Sequence, residues 1–465
     1  MKGTHFIALL AVAALGLSNL NAYASSSTLT NQVTRKVAHA SLAKQDSYRQ
    51  VLLERFLKYT TYDSQSSEKK QITDVQIETA KKLFAEIQSF GLNVTLSDHY
   101  YIYVEIPSNV KGNVPTLGFS CHYDVTPDNP ATGIKARLIE KYDGQPIALE
   151  NGQVIDPAKD NGSYLPTQIG KTIVTSDGTT ILSADDKAGV SIIMTMLQTL
   201  AQNPGKKHGK IQVVIAPNED VGRAAEFIEE TPYNPDIAFD FDGGVDGEVV
   251  VGNFNAEQVL VTVKGHPGHQ SHAAENGYLN AWFPACVLGA GLCPVTTDGK
   301  PLPLPNKSVG KQGYVELHHI DYPANTPSVA VMDFRLRGFN QAELDQWKED
   351  LQRMIPSVEE AYGVEISTEV RRNYGNVGEA IHPEAMNITR RAFAAAGVTP
   401  DFKEERAGTT ASMFLIKLGK GAFTIFTGQN NPHAFTEWLS EDDMYKSYRV
   451  SLNLIDEVVR MKSTK

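Results

Sequence analysis

The sequence predicts an α/β protein whose mixed central sheet is flanked by helices and whose chain is interrupted by an inserted α+β domain. Up to about Gly247, short apolar runs alternate with stretches of helical apolar spacing, which is typical of a sheet built from β-α-β units. The pattern then changes to alternating strands, and the α/β pattern resumes near Glu379. These two changes predict an insertion within one α/β domain.

The first α/β segment is predicted from its apolar periodicity. Helical spacing predicts three helices, at Ser47–Tyr59, Val75–Phe90 and Asp186–Gln202. Short apolar runs predict four strands, at Tyr101–Ile106, Thr116–Ser120, Ile211–Ala216 and Ile237–Phe241. The last two runs are apolar at all but one position each, so we expect those strands to be buried on most of both faces.

The inserted segment and the return to the α/β domain follow the same logic. The insertion has strand patterns at Val249–Val263, Gly313–His319 and Ser328–Arg337, and helical patterns at Tyr278–Gly291 and Gln341–Met354. The closing segment predicts helices at Pro383–Ala396 and Asp442–Met461 and a strand at Ala422–Thr427. We therefore predict one α/β domain in two parts, 25–250 and 377–465, around an inserted α+β lid domain, 251–376.

The first 24 residues have the pattern of a secretory signal peptide. A basic Lys2 precedes the apolar run Phe6–Leu17, and Ala22-Tyr23-Ala24 forms a small-x-small cleavage site before Ser25. An uncleaved membrane anchor fits less well, because the apolar run is shorter than the roughly 20 residues that span a bilayer. The sequence contains no other transmembrane candidate. We predict export, with a periplasmic or secreted mature protein and no integral membrane segment after cleavage.

Composition excludes several classes of partner. The 465 residues carry a net charge of −11, which argues against nucleic acid or an anionic membrane surface as the main partner. The three cysteines, Cys121, Cys286 and Cys293, form neither a CxxC pair nor a zinc-finger spacing. A disulfide framework is not expected.

Five segments rich in carboxylates and histidine stand at the ends of predicted strands, where open α/β sheets place their sites. Each segment is weak evidence alone, since adjacent acids commonly mark a helix N-terminus or a solvated loop. The five together, in this order, are far more specific. They are His122-Tyr123-Asp124, Asp185-Asp186, Glu219-Asp220, Asp242-Gly243-Gly244, and His433 followed by Glu437.

These segments resemble the motifs of the co-catalytic zinc metallopeptidase family that includes peptidase T, the glutamate carboxypeptidases and the succinyl-diaminopimelate desuccinylases. The likeness to the peptidase T members is carried by seven stretches and runs from about Ser47 to the C-terminus. They are GFSCHYDVTPD (118–128), ILSADDKAGV (181–190), IAPNEDVGRAA (215–225), FDFDGG (239–244), NFNA (253–256), ERAGTT (405–410) and NPHAFTEW (431–438).

The resemblance implies two Zn²⁺ ions per subunit, with Co²⁺ or Mn²⁺ as substitutes. His122 and Asp242 would bind one ion, Asp220 and His433 the other, and Asp185 would bridge both. Imidazole and carboxylate are suitable zinc ligands, and a shared carboxylate holds two metals close together.

The resemblance gives two further roles. Asp124 would support the metal ligand His122, and Glu219 would be the general base. In the His-x-Asp segment, residues two apart share a strand face, so Asp124 can accept the second imidazole N–H of His122 and fix its tautomer. Glu219 would take a proton from the attacking water and pass it to the leaving amine.

Two departures from the family pattern stand near the predicted site. Family members usually carry Glu-Glu where this chain has Glu219-Asp220, which puts the metal affinity at that position in doubt. The usual Arg-Gly-Gly-Thr-Asp-Gly segment is replaced by 406–411, RAGTTA. The arginine is kept, while an acid and two glycines are lost, which would change the substrate pocket.

Substrate contacts are predicted from charge and from the resemblance. A guanidinium matches a peptide's C-terminal carboxylate, and Arg337 and Arg406 are the candidates, each with an ordinary surface ion pair as its alternative. Asn376 is a weaker candidate. The run 266–274, HPGHQSHAA, contains three histidines at steps of three. A third metal site there is less favoured than a histidine-rich loop with no fixed geometry. The resemblance implies that one histidine of this run stabilises the oxyanion, either His269 or His272, with His269 preferred.

The resemblance implies an aminopeptidase that acts on tripeptides or other short peptides. A related carboxypeptidase or N-acyl amino acid deacylase would share the whole metal site and stays open. A metal-free binding relative is the non-enzymatic alternative, which the complete set of ligand residues disfavours. Some family members form homodimers through the inserted domain and others are monomers, and the sequence does not choose between them.

Overall fold

The computed structural model describes residues 47–291, 305, 308–321 and 327–461. By its internal contacts the chain divides into two compact units, 1–55 and 56–465. Within the first unit, residues 47–55 are described and are helical. The predicted signal peptide, 1–24, and Cys293 lie outside the described residues.

The helices and strands alternate along the chain as the sequence predicts for an α/β protein. The helices are α1 (47–60), α2 (Asp74–Ser89), α3 (Ala184–Gln202), α4 (Ala273–Asn276), α5 (Trp282–Gly291), α6 (Gln341–Tyr362), α7 (Ala385–Ala396), α8 (Thr410–Leu418) and α9 (Glu441–Arg460). The first nine strands are β1 (Asn93–Leu96), β2 (Ile102–Ile106), β3 (Leu117–His122), β4 (Arg137–Ile139), β5 (Ile147–Ala148), β6 (Val154–Ile155), β7 (Ile173–Thr175), β8 (Ile211–Ala216) and β9 (Ile237–Gly243). The others are β10 (Glu248–Asn253), β11 (Asn255–Lys264), β12 (Tyr314–Asp321), β13 (Val329–Gly338), β14 (Glu365–Tyr374), β15 (Asp401–Glu405), β16 (Phe423–Phe426), β17 (Gln429–Asn430) and β18 (Trp438–Ser440).

The main sheet has eight strands in the order β1-β2-β8-β3-β9-β16-β10-β15. Its four central strands, β8, β3, β9 and β16, run parallel to one another, whereas β1, β2 and β10 introduce antiparallel pairs. Helix α3 packs on β3 and β9 and against α9. The predicted mixed sheet flanked by helices is confirmed, and the parallel strands bring their carboxyl ends to one edge.

A second sheet belongs to the segment predicted as the insertion. Its four strands pair antiparallel in the order β12-β13-β11-β14. Helices α5 and α6 pack on it, and the two layers share a hydrophobic core that includes Val261, Leu288, Met332 and Leu351. The predicted boundaries at 250/251 and 376/377 stay predictions.

One predicted strand is wrong. The run Val249–Val263 forms two strands in different sheets, because the main sheet keeps β10 up to Asn253 and the second sheet begins with β11 at Asn255. Phe254, between them, is fully buried. An apolar pattern alone does not reveal that a continuous run passes from one sheet to another.

Two smaller sheets complete the fold, a four-stranded one in the order β17-β18-β7-β4 and the pair β5-β6. Among the described helices, none combines the length and the apolar character needed to cross a membrane.

Candidate metal centre

The predicted ligands converge at the carboxyl edge of the four parallel strands. His122 is the last residue of β3, Asp242 lies at the end of β9, and Asp220 follows β8. Asp185 lies in the first turn of α3, and His433 lies between β17 and β18. The topology thus brings together five residues that span more than 300 positions of sequence.

Asp185 lies at the centre of the cluster. Its Oδ1 is 3.0 Å from Nε2 of His122, and its Oδ2 is 3.3 Å from Nε2 of His433. Nε2 of His433 is also 2.8 Å from Oδ1 of Asp220. The two imidazoles therefore approach different oxygens of one carboxylate, which is the arrangement that a bridging ligand requires.

His122 joins the other side of the cluster. Its Nε2 lies 3.6 Å from Oδ1 of Asp242 and 3.8 Å from Oε2 of Glu219. The His122 ring is fully buried. The residue predicted as the general base therefore borders the same ring as the predicted ligands.

Asp124 supports both His122 and the base. Nδ1 of His122 lies 3.2 Å from the backbone oxygen and 3.4 Å from Oδ1 of Asp124. The carboxylate of Asp124 also accepts the backbone N–H groups of Glu219 and Asp220, at 2.9 and 3.3 Å. The sequence predicted the first contact. The second is new, and it links the loop after β8 to the end of β3.

Two more acids, Asp186 and Asp240, lie buried behind the cluster. Asp186 accepts the backbone N–H groups of His122 and Gly189 through different oxygens, at 3.2 and 2.9 Å. Asp240 accepts the hydroxyl of Ser120 at 2.6 Å. Both carboxylates are used by protein donors, so they serve as supports rather than as ligands.

Crowding of the acids shifts their protonation. Burial, followed by repulsion from Asp185, raises the pKa of Asp220 to about 7 and that of Asp242 to about 6. Burial raises the pKa of Glu219 well above its usual range, and Asp242 and Asp220 add to the effect. Several like charges in a desolvated site favour either protonation or a bound cation.

The histidines respond in the opposite direction. Hydrogen bonds to Asp185 and Asp220 raise the pKa of His433 to about 11. Burial alone would lower the pKa of His122, but Asp242, Asp124 and Asp185 outweigh it and hold the pKa well above its usual value. In the absence of metal, both imidazoles thus act as the cations of this cluster.

The donor set fits divalent metals. His122, Asp185 and Asp220 offer ligand atoms that lie within 4.8 Å of one another, as do His122, Asp186 and Asp242. We favour Asp185 over Asp186 as the ligand, because both oxygens of Asp186 accept backbone N–H groups. Oδ2 of Asp220 is buried with no partner among the described residues, and a bound cation would satisfy it.

Glu437 contacts the segment that carries Asp185, although no role was predicted for it. Its carboxylate is fully buried and accepts the backbone N–H groups of Ser183 and Asp185, at 2.7 and 3.0 Å. The only sequence signal was its position four residues after His433.

Arg337 lies in the second sheet, beside the ring of Tyr374. It is on β13, and its Nη1 donates to the backbone oxygens of Glu257 and Leu336. Its guanidinium lies 5.5 Å from the ring of Tyr374. Burial raises the pKa of Tyr374, and the Glu219 carboxylate contributes to that rise, so this ring is within electrostatic reach of the predicted base. No role was predicted for Tyr374 from the sequence.

Arg406 is engaged by the inserted segment. Its Nη1 donates to the backbone oxygens of Gly310 and Gln312, at 2.8 and 3.0 Å, and its Nη2 donates to Oγ of Ser308 at 2.7 Å. The guanidinium also lies 4.7 Å from the ring of Phe254. This placement does not support the prediction that Arg406 reads a substrate carboxylate, because Nη1 and Nη2 of Arg406 both bond to protein acceptors, whereas the bonds of Arg337 described above use Nη1 alone.

Asn376 is likewise engaged by the chain itself. Its Oδ1 accepts the backbone N–H groups of Asn253 and Gly378, and its Nδ2 donates to the backbone oxygen of Phe339. The side chain links chain segments that connect the two large sheets. This placement does not support a substrate contact.

His269 and His272 are exposed and make local contacts. Nδ1 of His269 accepts the backbone N–H of Ser271 at 3.3 Å, and Nδ1 of His272 lies 3.3 Å from Oε2 of Glu275. The two rings are 5.6 Å apart. Neither belongs to the metal clusters found among the described residues, so the choice between them stays open.

Comparisons with known proteins agree with this architecture. The model of peptidase family M20/M25/M40 matches residues 183–457. Peptidase T of Desulfitobacterium hafniense (strain Y51) is 33% identical over 416 residues, covering 87% of this chain and 97% of that protein.

Three solved structures share the fold. An aminopeptidase PepT from Bacillus cereus has a TM-score of 0.65 at 20% identity, covering 88% of this chain and 99% of its own. A tripeptidase from Staphylococcus aureus has a TM-score of 0.63 at 18% identity, with coverages of 89% and 99%. A Bacillus subtilis protein described as a dinuclear metal-binding M20 peptidase has a TM-score of 0.59 at 13% identity, with coverages of 90% and 99%.

Proposed function

This chain belongs to peptidase family M20/M25/M40 and is similar in sequence to peptidase T members of it, and from that premise we propose that it is a two-metal aminopeptidase of short peptides. It would release the N-terminal residue of tripeptides. The observation that carries the proposal is the placement of Asp185 between the imidazoles of His122 and His433, with carboxylates on either side.

Five residues would hold the metals. His122 and Asp242 would bind one ion, Asp220 and His433 the other, and Asp185 would contact both. Zinc is the metal that this mixture of imidazole and carboxylate ligands favours. When bound, the two ions lower the pKa of a water molecule and polarise the scissile carbonyl.

Glu219 is the proposed general base. Its carboxylate borders His122, and its backbone N–H is fixed by Asp124. Burial and neighbouring carboxylates raise the pKa of Glu219, which suits a group that accepts a proton from the attacking water. The same carboxyl then delivers that proton to the amine that leaves as the peptide bond breaks.

Arg337 is the proposed reader of the peptide's C-terminal carboxylate. It is a cation on β13 beside Tyr374, and Tyr374 lies within electrostatic reach of Glu219. A fixed distance between a carboxylate-binding cation and the metals would limit the length of the peptide. This is the physical basis for a preference for tripeptides.

The alternative function is a related carboxypeptidase or deacylase with the same metal site. A panel of a dipeptide, a tripeptide, an N-acetylated tripeptide and a tripeptide amide separates the two. An aminopeptidase cleaves the free tripeptide and releases its first residue, and it leaves the acetylated peptide intact. Release of the last residue, or hydrolysis of the acetyl group, would instead support the alternative.

Export is a further part of the proposal. The support is the basic, apolar and small-residue pattern of positions 1–24. Expression of the full chain in a bacterial host, followed by fractionation and N-terminal sequencing, tests it. A mature protein that begins at Ser25 in the periplasm or medium is expected, and an unprocessed chain that stays in the cytoplasm would contradict it.

A further inference from the structure

Glu437 joins the two loops that present the proposed metal ligands. It lies four residues after His433, and its backbone N–H donates to the carbonyl of Ala434 at 3.0 Å. Its side chain reaches the other loop, where Oε2 accepts the N–H of Ser183 and Oε1 accepts the N–H of Asp185. One residue thus couples the loop that carries His433 to the backbone that carries Asp185.

The two hydrogen bonds require that both terminal atoms of the residue 437 side chain, Oε1 and Oε2, act as acceptors. A carboxylate offers two acceptor oxygens, whereas the amide of glutamine replaces one of them with a donor. Both donors at this position are backbone N–H groups, so an amide would leave one N–H facing another. The geometry therefore selects glutamate over its neutral isostere.

Placing the carboxylate of Glu437 here is electrostatically unfavourable unless its hydrogen bonds compensate. Glu437 is fully buried. The residue whose backbone N–H it accepts, Asp185, carries a second carboxylate close by. Burying one acid close to another costs free energy. Backbone donors at 2.7 and 3.0 Å compensate part of that cost.

The backbone on both sides of this contact is strained. Ser183 has φ of 60° and His433 has φ of 63°, left-handed values that are unfavourable for a residue with a side chain. Such conformations persist where the surroundings determine them. The bonds from Glu437 supply that restraint directly at Ser183.

We propose that Glu437 is a positioning residue that holds the Asp185 carboxylate in register with His433 so that both can bind metal. The inference rests on the proposed two-metal function and adds a residue that acts on the metals through the backbone. Because Glu437 does not touch the metal, its loss changes how tightly and in what geometry the ligands bind rather than which ligands are present. Substitutions in such supporting positions typically reduce metal affinity by about 10- to 100-fold.

The test compares Glu437→Gln and Glu437→Asp with the wild-type full chain. Glu457→Gln is the matched control, because Glu457, on α9, is also buried, at 2% exposed, and pairs with Arg391 of α7 at 2.6 Å. Metal is removed with a chelator, and zinc is then titrated in competition with a chromophoric indicator. The absorption spectrum with Co²⁺ and the melting temperature of the chelated protein are recorded for each variant.

We expect Glu437→Gln to weaken the binding of at least one zinc equivalent by about 10- to 100-fold and to change the cobalt spectrum. Glu437→Asp, which keeps two acceptors on a shorter arm, should lose less. Glu457→Gln should lower the melting temperature while leaving zinc affinity and the cobalt spectrum as in the wild type.

Three results would overturn the inference. One is wild-type zinc affinity and an unchanged cobalt spectrum in Glu437→Gln. Another is an equal loss of zinc affinity in Glu457→Gln. A third is failure of both Glu437 variants to fold, because the contact would then maintain the fold rather than the metal site. A wild-type chain that binds no zinc would instead refute the proposed function, so the two failures are distinguishable.

Discussion

Asp185 connects residues that are far apart in sequence into one cluster. Its two oxygens face His122 and His433 from opposite sides, at 3.0 and 3.3 Å. The nearby carboxyls of Asp220, Asp242 and Glu219 all have a raised pKa. This excess of buried negative charge is tolerable when divalent cations neutralise it, which gives each of these residues a reason to be acidic.

Glu219→Gln separates metal binding from chemistry. The amide keeps the size of the side chain and cannot accept the proton of water, so we expect kcat to fall by about 10²- to 10⁴-fold. Zinc content should stay at the wild-type value, because Glu219 is not among the proposed ligands. Steady-state kinetics and metal analysis of the same preparation check this. Unchanged turnover would refute the base, and lost zinc would make Glu219 a ligand.

The acids predict how zinc stabilisation depends on pH. A carboxyl in an unfolded chain titrates near about pH 4, whereas the pKa of Asp220 is about 7 and that of Asp242 about 6. Because the folded state holds these protons more tightly, the chelated protein should lose stability as the pH rises from about 4 to about 7. His433, with its pKa raised to about 11, continues the loss above about pH 6.5.

Zinc should reverse this trend, because metal ligands must be deprotonated to bind. The melting temperature gained by adding zinc should therefore be larger at pH 7.5 than at pH 5.5. Differential scanning fluorimetry of chelated and zinc-loaded protein at both pH values measures it. The same gain at the two pH values would contradict the ligand assignment.

Arg337→Ala tests how the peptide's C-terminus is read. Loss of a charge-assisted hydrogen bond costs about 1.5–3 kcal/mol, so kcat/KM for a free tripeptide should fall by about 10- to 100-fold. The tripeptide amide, which lacks the carboxylate, should be nearly insensitive. Arg335→Ala is the control, since Arg335 lies two residues away on the same strand. Equal losses for both substrates, or the same loss in the control, would contradict the role.

At the scale of elements, the close packing of α3 on β9 places Asp185. Gly189, in the second turn of α3, lies so near the strand that a Cβ atom there would overlap the backbone oxygen of Phe241. The helix can approach the sheet this closely because that residue has no side chain. This close packing brings the start of α3 to the edge of the sheet where Asp242 lies, next to the last residue of β9.

Gly189→Ala should therefore displace the start of α3. Overpacking of this kind costs about 1–3 kcal/mol, and we expect a lower free energy of unfolding together with weaker zinc binding. Gly205→Ala is the control, because nothing lies within 4 Å of a Cβ at Gly205. Denaturant unfolding and zinc titration of both variants check this. Wild-type stability in Gly189→Ala would show that the helix and strand are less closely packed than described.

Elements with a buried apolar face were predictable from the sequence, and exposed ones were not. The β8 run is apolar apart from Gln212, and α3 has an apolar face that includes Ile192 and Met196. Both elements are largely buried, and their limits were predicted to within two residues. Strand β14 was missed because most of its residues are polar and exposed at an edge of the second sheet. A strand that is held mainly by backbone pairing leaves little apolar periodicity.

The same division holds for the site. The ligand types were predictable because metal chemistry restricts them to histidine and acids at strand ends. The roles of Arg406 and Asn376 were not, because arginine and asparagine suit a substrate and a backbone carbonyl equally well. Only the structure shows that Arg406 donates to residues 308–312. It also shows that Asn376 hydrogen-bonds to Asn253 and Phe339, in segments that connect the two sheets.

At the scale of the whole molecule, the two large sheets contribute different parts of the proposed site. The eight-stranded sheet gathers the proposed metal ligands at one edge, and the four-stranded sheet supplies Arg337. Arg406 and Asn376 hold the two parts of the chain to each other. The structure thus joins the proposed metal site to a separately packed layer that contributes the proposed substrate contact.

The central claim is that this cluster would hold two metal ions and that the protein, with Glu219 as its base, would hydrolyse the first peptide bond of a tripeptide. The most direct test is a titration of zinc into the chelated full chain while hydrolysis of an unblocked tripeptide is followed and the products are identified. We predict no hydrolysis without metal, recovery that saturates at two zinc ions per chain, and release of the N-terminal amino acid with an intact dipeptide. Full hydrolysis in the chelated protein, or no hydrolysis at two bound zinc ions per chain, would contradict the account.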